Sequence, residues 1–262
     1  MGFPDRRTIA LIQPWAIALW RKAFRPGTID IHEAGTIEVG YSAFGPTIGL
    51  RGTLRAVHRD QFVREIALTV VKQKDRSRHT FNWFVFRAEK LTAAGTEDSS
   101  YEVAAGFILL TTQPYRYSIL FADYATRDEM KPHIESLQAG WNSYTRQAAD
   151  TVVRRGTAAS VASIGHAVAQ SPDTFGEFAK TQISVDTYGV MERRLYWEAG
   201  TYALEMNVRT TRPENNFQRR WKFHLTEADF QNLRLNAVAI MGAACSQSDP
   251  VFNWAYPHYQ SE

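Results

Sequence analysis

The residues of this sequence best suited to chemistry are basic side chains that alternate with aromatic ones toward the C-terminal end. Residues 202–209 and 217–225 each alternate apolar and polar side chains, and the turn sequence Pro-Glu-Asn-Asn at 213–216 separates them. This pattern predicts a β-hairpin with one apolar, largely aromatic face and one basic face. Basic side chains on a sheet face bind phosphates and other anionic groups. The predicted binding residues are Arg209, Arg220, Lys222 and His224.

A second interpretation of the same hairpin is a solvated face whose positive charge is balanced by Glu205 and Glu192. Nucleic acid is the less favoured anionic partner. Base stacking needs exposed aromatic rings, and the alternation assigns the aromatic rings of this hairpin to the core face.

Catalytic, metal and cofactor motifs do not stand out in this sequence. None of the seven histidines is paired at the spacing of a zinc site, and the single cysteine, Cys245, leaves no cysteine-based zinc site and no intrachain disulfide. A Gly-rich phosphate loop ending in Lys-Ser/Thr is missing, and so is a G-x-S-x-G elbow. We therefore predict no catalytic residue, no metal ligand and no cofactor, with a hydrolase whose active site is built from loops as the enzyme alternative.

The first 26 residues are predicted to form an N-terminal arm in which basic residues flank an apolar run. The apolar run at 9–20 is interrupted by Gln13 and Pro14 and is too short to span a bilayer. The run is interpreted as a strand or arm packed on the fold, as a membrane-surface contact, or as a cleaved signal. The basic pair after it favours the cytoplasmic side. The residues of the membrane contact would be Trp15, Trp20, Arg21 and Lys22.

Short alternating runs separated by turn residues dominate the stretch from residue 27 to residue 87. They predict strands at 37–41, 47–50, 53–58, 66–71 and 80–87, and two further strands at 103–110 and 115–121. The pattern then changes to helical spacing between residues 128 and 149. Alternation returns at 194–197, and residues 226–229 resemble a helix N-cap.

These elements predict a mainly β fold with a helical insertion, an antiparallel β-sandwich of immunoglobulin-like or arrestin-like type. The sandwich would comprise residues 27–124 and 183–262, and the insertion residues 125–182. A net charge of +3 permits an acidic partner without requiring one. The expected function is a non-enzymatic binding module for an unidentified protein or anionic partner. The expected location is the cytoplasm, with attachment to a membrane surface as an alternative.

Overall fold

The structure is a computed structural model that describes residues 27–91, 97–154, 166–211, 214–246 and 251–261. Within these ranges eleven strands form one sheet in which every pairing is antiparallel. The strands are β1 (Thr28–Ser42), β2 (Gly45–Val57), β3 (Gln61–Lys72), β4 (Arg78–Leu91), β5 (Glu97–Val103), β6 (Phe107–Leu109), β7 (Tyr115–Ala122), β8 (Gly200–Thr211), β9 (Asn215–Leu225), β10 (Trp254–Ala255) and β11 (Tyr259–Ser261).

The order across the sheet is β10-β1-β2-β7-β4-β3-β8-β9-β11, with β5 paired to β4 and β6 paired to β3. The two outermost strands, β10 and β11, are only three residues apart in the chain. A segment this short reaches both edges because the sheet curls into a half-barrel. We call residues 251–261 the strap, since they join the edge at β1 to the edge at β9.

The prediction of a mostly antiparallel β fold with helices is confirmed, whereas an immunoglobulin-like or arrestin-like sandwich is not. The described strands belong to one continuous curled sheet. Helices lie between β7 and β8, where the insertion is predicted, and the division of the chain into domains stays a prediction. The described helices are α1 (Tyr124–Arg154), α2 (Pro172–Phe178), α3 (Gln182–Arg194) and α4 (Glu227–Ser246).

Side-chain caps begin two of these helices. Asp123 accepts hydrogen bonds from the backbone amide and the hydroxyl of Thr126 at the start of α1, at 3.2 and 3.1 Å. At α4, the Thr226 hydroxyl accepts from the amide of Asp229, while the Asp229 carboxylate accepts from the amide of Thr226. This reciprocal pair is the capping box that residues 226–229 predict.

One hydrophobic core joins the helices to the inner face of the sheet, and the opposite, outer face of the sheet carries most of its polar residues. Three tryptophans are almost completely buried in it: Trp141 of α1, Trp221 of β9, and Trp197, which lies between α3 and β8. The Trp197 indole also donates a 2.9 Å hydrogen bond to the carbonyl of Gly40 in β1, so its polar atom is satisfied. The core thereby fixes which side chains of each strand point outward.

The strand predicted at residues 194–197 is wrong. Helix α3 continues through Arg194, and residues 195–198 have no regular structure. The side chains that α3 buries are Ser184, Thr187 and Met191, spaced three and four residues apart. Two of these three are polar, so apolar periodicity alone does not reveal the helix.

Candidate functional site

The four predicted binding residues share the outer face of the sheet, and we call them the hairpin quartet. Arg209 lies on β8 and Arg220, Lys222 and His224 lie on β9, all exposed. The register prediction holds, because Trp221, Phe223 and Leu225 alternate with them and are buried.

Two members of the hairpin quartet form ion pairs with carboxylates on the same sheet. Arg220 donates from Nε to the Glu205 carboxylate at 2.7 Å, and Arg209 forms an ion pair with Glu65 at 3.2 Å. Partial burial disfavours ionised Glu205, but hydrogen bonds, the first from Arg220, outweigh that effect and lower its pKa. The balancing role of Glu205 therefore agrees with the solvated-face interpretation.

Glu192, the second balancing residue of that interpretation, lies elsewhere. It sits on α3, where it accepts hydrogen bonds from Arg234 and from Tyr188. The Arg234 contact holds the pKa of Glu192 below its usual value. Glu192 therefore belongs to a contact between α3 and α4 and does not balance the hairpin quartet.

A second basic region lies on the outer face of the neighbouring strands β2, β7 and β4. It is a groove of about 550 Å³ lined by Arg51, Arg116 and Arg87, one arginine from each strand. We call it the arginine groove. It is also lined by Thr53, Ser118 and His32, and by parts of Glu33 and of Tyr117, which is a core residue.

Glu38 of β1 forms ion pairs with two of the arginines that line the groove. Only 5% of this β1 residue is exposed. Arg51 reaches the Glu38 carboxylate at 2.7 Å, and Arg87 donates to both of its oxygens at 2.8 Å. Arg87 also donates from Nε to the Ser118 hydroxyl at 3.3 Å. One buried carboxylate thus fixes the position of two guanidinium groups.

A glycine makes this arrangement possible. Gly49 of β2 pairs directly with Glu38, and a Cβ added there would lie 2.5 Å from Glu38 Oε2. Because Gly49 has no side chain, the carboxylate can extend across β2 and β7 to Arg87 on β4. The Glu38–Gly49 pair is therefore what brings β1 and β4 into one network.

The arginine groove is rich in positively charged side chains. Three guanidinium groups line it, and the described carboxylate of Glu38 pairs with two of them, those of Arg51 and Arg87. Glu33 also reaches the groove, but its carboxylate accepts from the Trp221 indole at 2.8 Å and pairs with Arg219. Arg116 is exposed, and within the described ranges no carboxylate lies within ion-pairing distance of it. The groove is therefore equipped to bind an anion.

Sequence reasoning missed this groove. Its arginines stand 36 and 29 residues apart, and only strand pairing brings them together. The one signal in the sequence is alternation, which places Arg116 opposite the apolar face of β7. Alternation predicts that the Arg116 side chain points outward, but it does not predict which residues lie beside it.

The described residues contain few side-chain arrangements of the kind that a hydrolase active site requires. The one histidine ring that meets a hydroxyl there is His224, whose Nδ1 lies 3.2 Å from Thr201 Oγ1. That pair is exposed, and no carboxylate orients the ring. The described residues also hold no group of three or more His, Cys, Asp or Glu arranged to bind a metal.

The membrane contact predicted at Trp15, Trp20, Arg21 and Lys22 lies outside the described residues. Of the helices that are described, none is both long enough and apolar enough to cross a bilayer.

No protein-family model matches this chain, and a comparison with curated proteins finds no relative. Function therefore has to be argued from the geometry and charge of the site.

Proposed function

We propose that this protein is a non-enzymatic binding module that holds an anionic partner in the arginine groove. The observation that supports this is that Arg51, Arg87 and Arg116 line one groove from three adjacent strands, with Arg51 and Arg87 held by a single buried carboxylate. Guanidinium groups keep their charge at every physiological pH and present their donors in a fixed fork. An anion in the groove would meet guanidinium groups from three strands.

Preorganisation favours binding at this site over the hairpin quartet. Arg87 is held by Glu38 and Ser118, and its side chain is only 13% exposed. An arginine that is already ordered loses little conformational entropy when a ligand arrives. The hairpin quartet stays a second candidate surface for the same partner, with two of its members occupied by Glu65 and Glu205.

The other predictions from the sequence remain open. Membrane attachment through residues 9–20, hydrolysis at a loop-built site, cytoplasmic location and an immunoglobulin-like sandwich all stay predictions. The arginine groove supports anion binding without requiring any of them.

The test is titration of the purified protein at low salt with four anions, namely inorganic phosphate, sulfate, malonate and acetate. Arginine Nε–Hε signals in NMR spectra report binding at the groove directly. We expect at least one anion to bind and the Arg116→Glu variant to lose at least tenfold in affinity. The matched control is Arg146→Glu, which makes the same charge change at an exposed position of α1.

Either of two results would refute the proposed function. One is that the wild-type protein binds none of the four anions. The other is that Arg116→Glu, folded by circular dichroism, binds as tightly as Arg146→Glu. The second result includes equal losses in both variants, which would indicate a general charge effect and no site at the groove.

A further inference from the structure

The geometry points to a phosphate group as the anion of the arginine groove, either free or as a monoester, an inference that rests on the proposed function. Charge is the first reason. Three guanidinium groups line the groove, and a phosphate monoester carries about 1.5 to 2 negative charges at pH 7. A monocarboxylate carries only one.

The pattern of donors is the second reason. In the β2–β7 pairing, Arg51 lies directly opposite Ser118, and Thr53 lies directly opposite Arg116. Residues two apart on a strand are about 7 Å apart, and facing residues are about 5 Å apart. The four side chains therefore project from backbone positions at the corners of a small rectangle, with arginines on one diagonal and hydroxyl-bearing residues on the other.

A tetrahedral oxyanion fits such a rectangle better than a planar one. Its terminal oxygens point in several directions and can accept from both arginines and both hydroxyls at once. A carboxylate is planar and is satisfied by a single guanidinium fork. The Ser118 hydroxyl accepts the Arg87 hydrogen bond through a lone pair, so its proton can be donated to a ligand oxygen.

The size of the groove leaves room for more than the phosphate group. Its volume of about 550 Å³ lies within the range of small-molecule sites. The remainder of an ester would extend along the groove past His32, which lines it. Free phosphate and a monoester share the same recognition chemistry, and their relative affinities distinguish the two sources.

The experiment compares inorganic phosphate, phenyl phosphate, sulfate and malonate on the wild-type protein at pH 7.5 and pH 5. We expect phosphate or phenyl phosphate to bind at least tenfold more tightly than malonate at pH 7.5. The second pKa of a phosphate monoester is about 6, so at pH 5 its affinity should fall about tenfold relative to sulfate, which keeps its charge. Both anions meet the same groove, so the ratio of their affinities removes the effect of any protonation change in the groove itself. The charged and titratable side chains there are His32, Glu33, Glu38, Arg51, Arg87 and Arg116.

A variant tests the contribution of the hydroxyls. Thr53→Val keeps the side-chain shape and removes one donor, so phosphate affinity should fall about 2- to 10-fold, as expected for one hydrogen bond. Malonate affinity should change less. Thr80→Val, on an exposed position of β4, is the matched control.

The possible results separate this inference from the function on which it rests. Malonate binding as tight as phosphate, or a phosphate-to-sulfate ratio that does not change with pH, overturns the phosphate inference. If Arg116→Glu then still abolishes malonate binding, the groove remains an anion site. Tighter binding of phenyl phosphate than of inorganic phosphate assigns the site to a monoester, and the reverse order assigns it to free phosphate.

Discussion

Asn236 of α4 holds the strap against the curled sheet. Its side chain is fully buried. The Nδ2 group donates to the carbonyl of Tyr41 in β1 at 2.9 Å and to the carbonyl of Asn253 in the strap at 2.8 Å. Its Oδ1 accepts from the amide of Asn253, also at 2.8 Å. We predict that Asn236→Ala destabilises the fold more than any change on the exposed side of this helix.

The magnitude follows from those three hydrogen bonds. Each contributes about 1 kcal/mol net, and an orphaned buried carbonyl costs about 1–3 kcal/mol. Asn253 is exposed, so water can replace its partners, whereas Tyr41 lies in the core. Alanine also has a higher helix propensity than asparagine, and this offsets about 0.5 kcal/mol of the loss in the free energy of unfolding. The expected decrease in the free energy of unfolding is therefore about 2–4 kcal/mol.

Urea unfolding of both Asn236→Ala and Asn232→Ala measures this contribution. Asn232 lies one turn earlier on α4 and is exposed, so its replacement brings the same gain in helix propensity and breaks no buried contact. The difference in unfolding free energy between the two variants isolates the buried hydrogen bonds, provided that the slope of each transition is unchanged. A difference below about 0.5 kcal/mol, well under one hydrogen bond, would refute the reasoning.

Two further predictions concern packing and burial. A methyl group added at Gly40 would overlap the Trp254 ring of the strap, so Gly40→Ala should lower the free energy of unfolding by about 1–3 kcal/mol. Gly242→Ala, where no described residue lies near the new methyl, should not lower it; equal urea midpoints for the two variants would contradict this. Burial raises the pKa of the Cys245 thiol to about 12, so iodoacetamide should leave the native protein unlabelled at pH 8 and label it in urea. Equal labelling rates in both states would show that the thiol is not buried.

Local alternation explains why much of the sheet could be predicted. The hairpin of β8 and β9 buries Trp221 and Phe223, and this burial determines its register, so the outward direction of Arg220 follows from sequence. The same reasoning finds the α4 N-cap, because Thr226 and Asp229 act within one turn. These features need only near neighbours in the chain.

The strap joins the two edges of the sheet through contacts that sequence patterns do not predict. The strap contributes strands of two and three residues, too short for an alternation signal. Their pairing partners are β1 and β9, which lie far away in the chain. The Pro257 carbonyl nevertheless accepts from the amide of Ile37, and His258 forms a bridge with Thr36. Only the tertiary curl of the sheet makes these edges available to one segment.

The strap also bears on the arginine groove, because both depend on β1. Ile37 and Val39, the neighbours of Glu38, are held on one side by β2 and on the other by the strap, through Pro257 and Ala255. Glu38 therefore projects from a stretch of β1 that is hydrogen-bonded along both edges, which limits how far its carboxylate can move. Since that carboxylate positions the guanidinium groups of Arg51 and Arg87, the strap helps to keep the proposed anion site ordered before any ligand arrives.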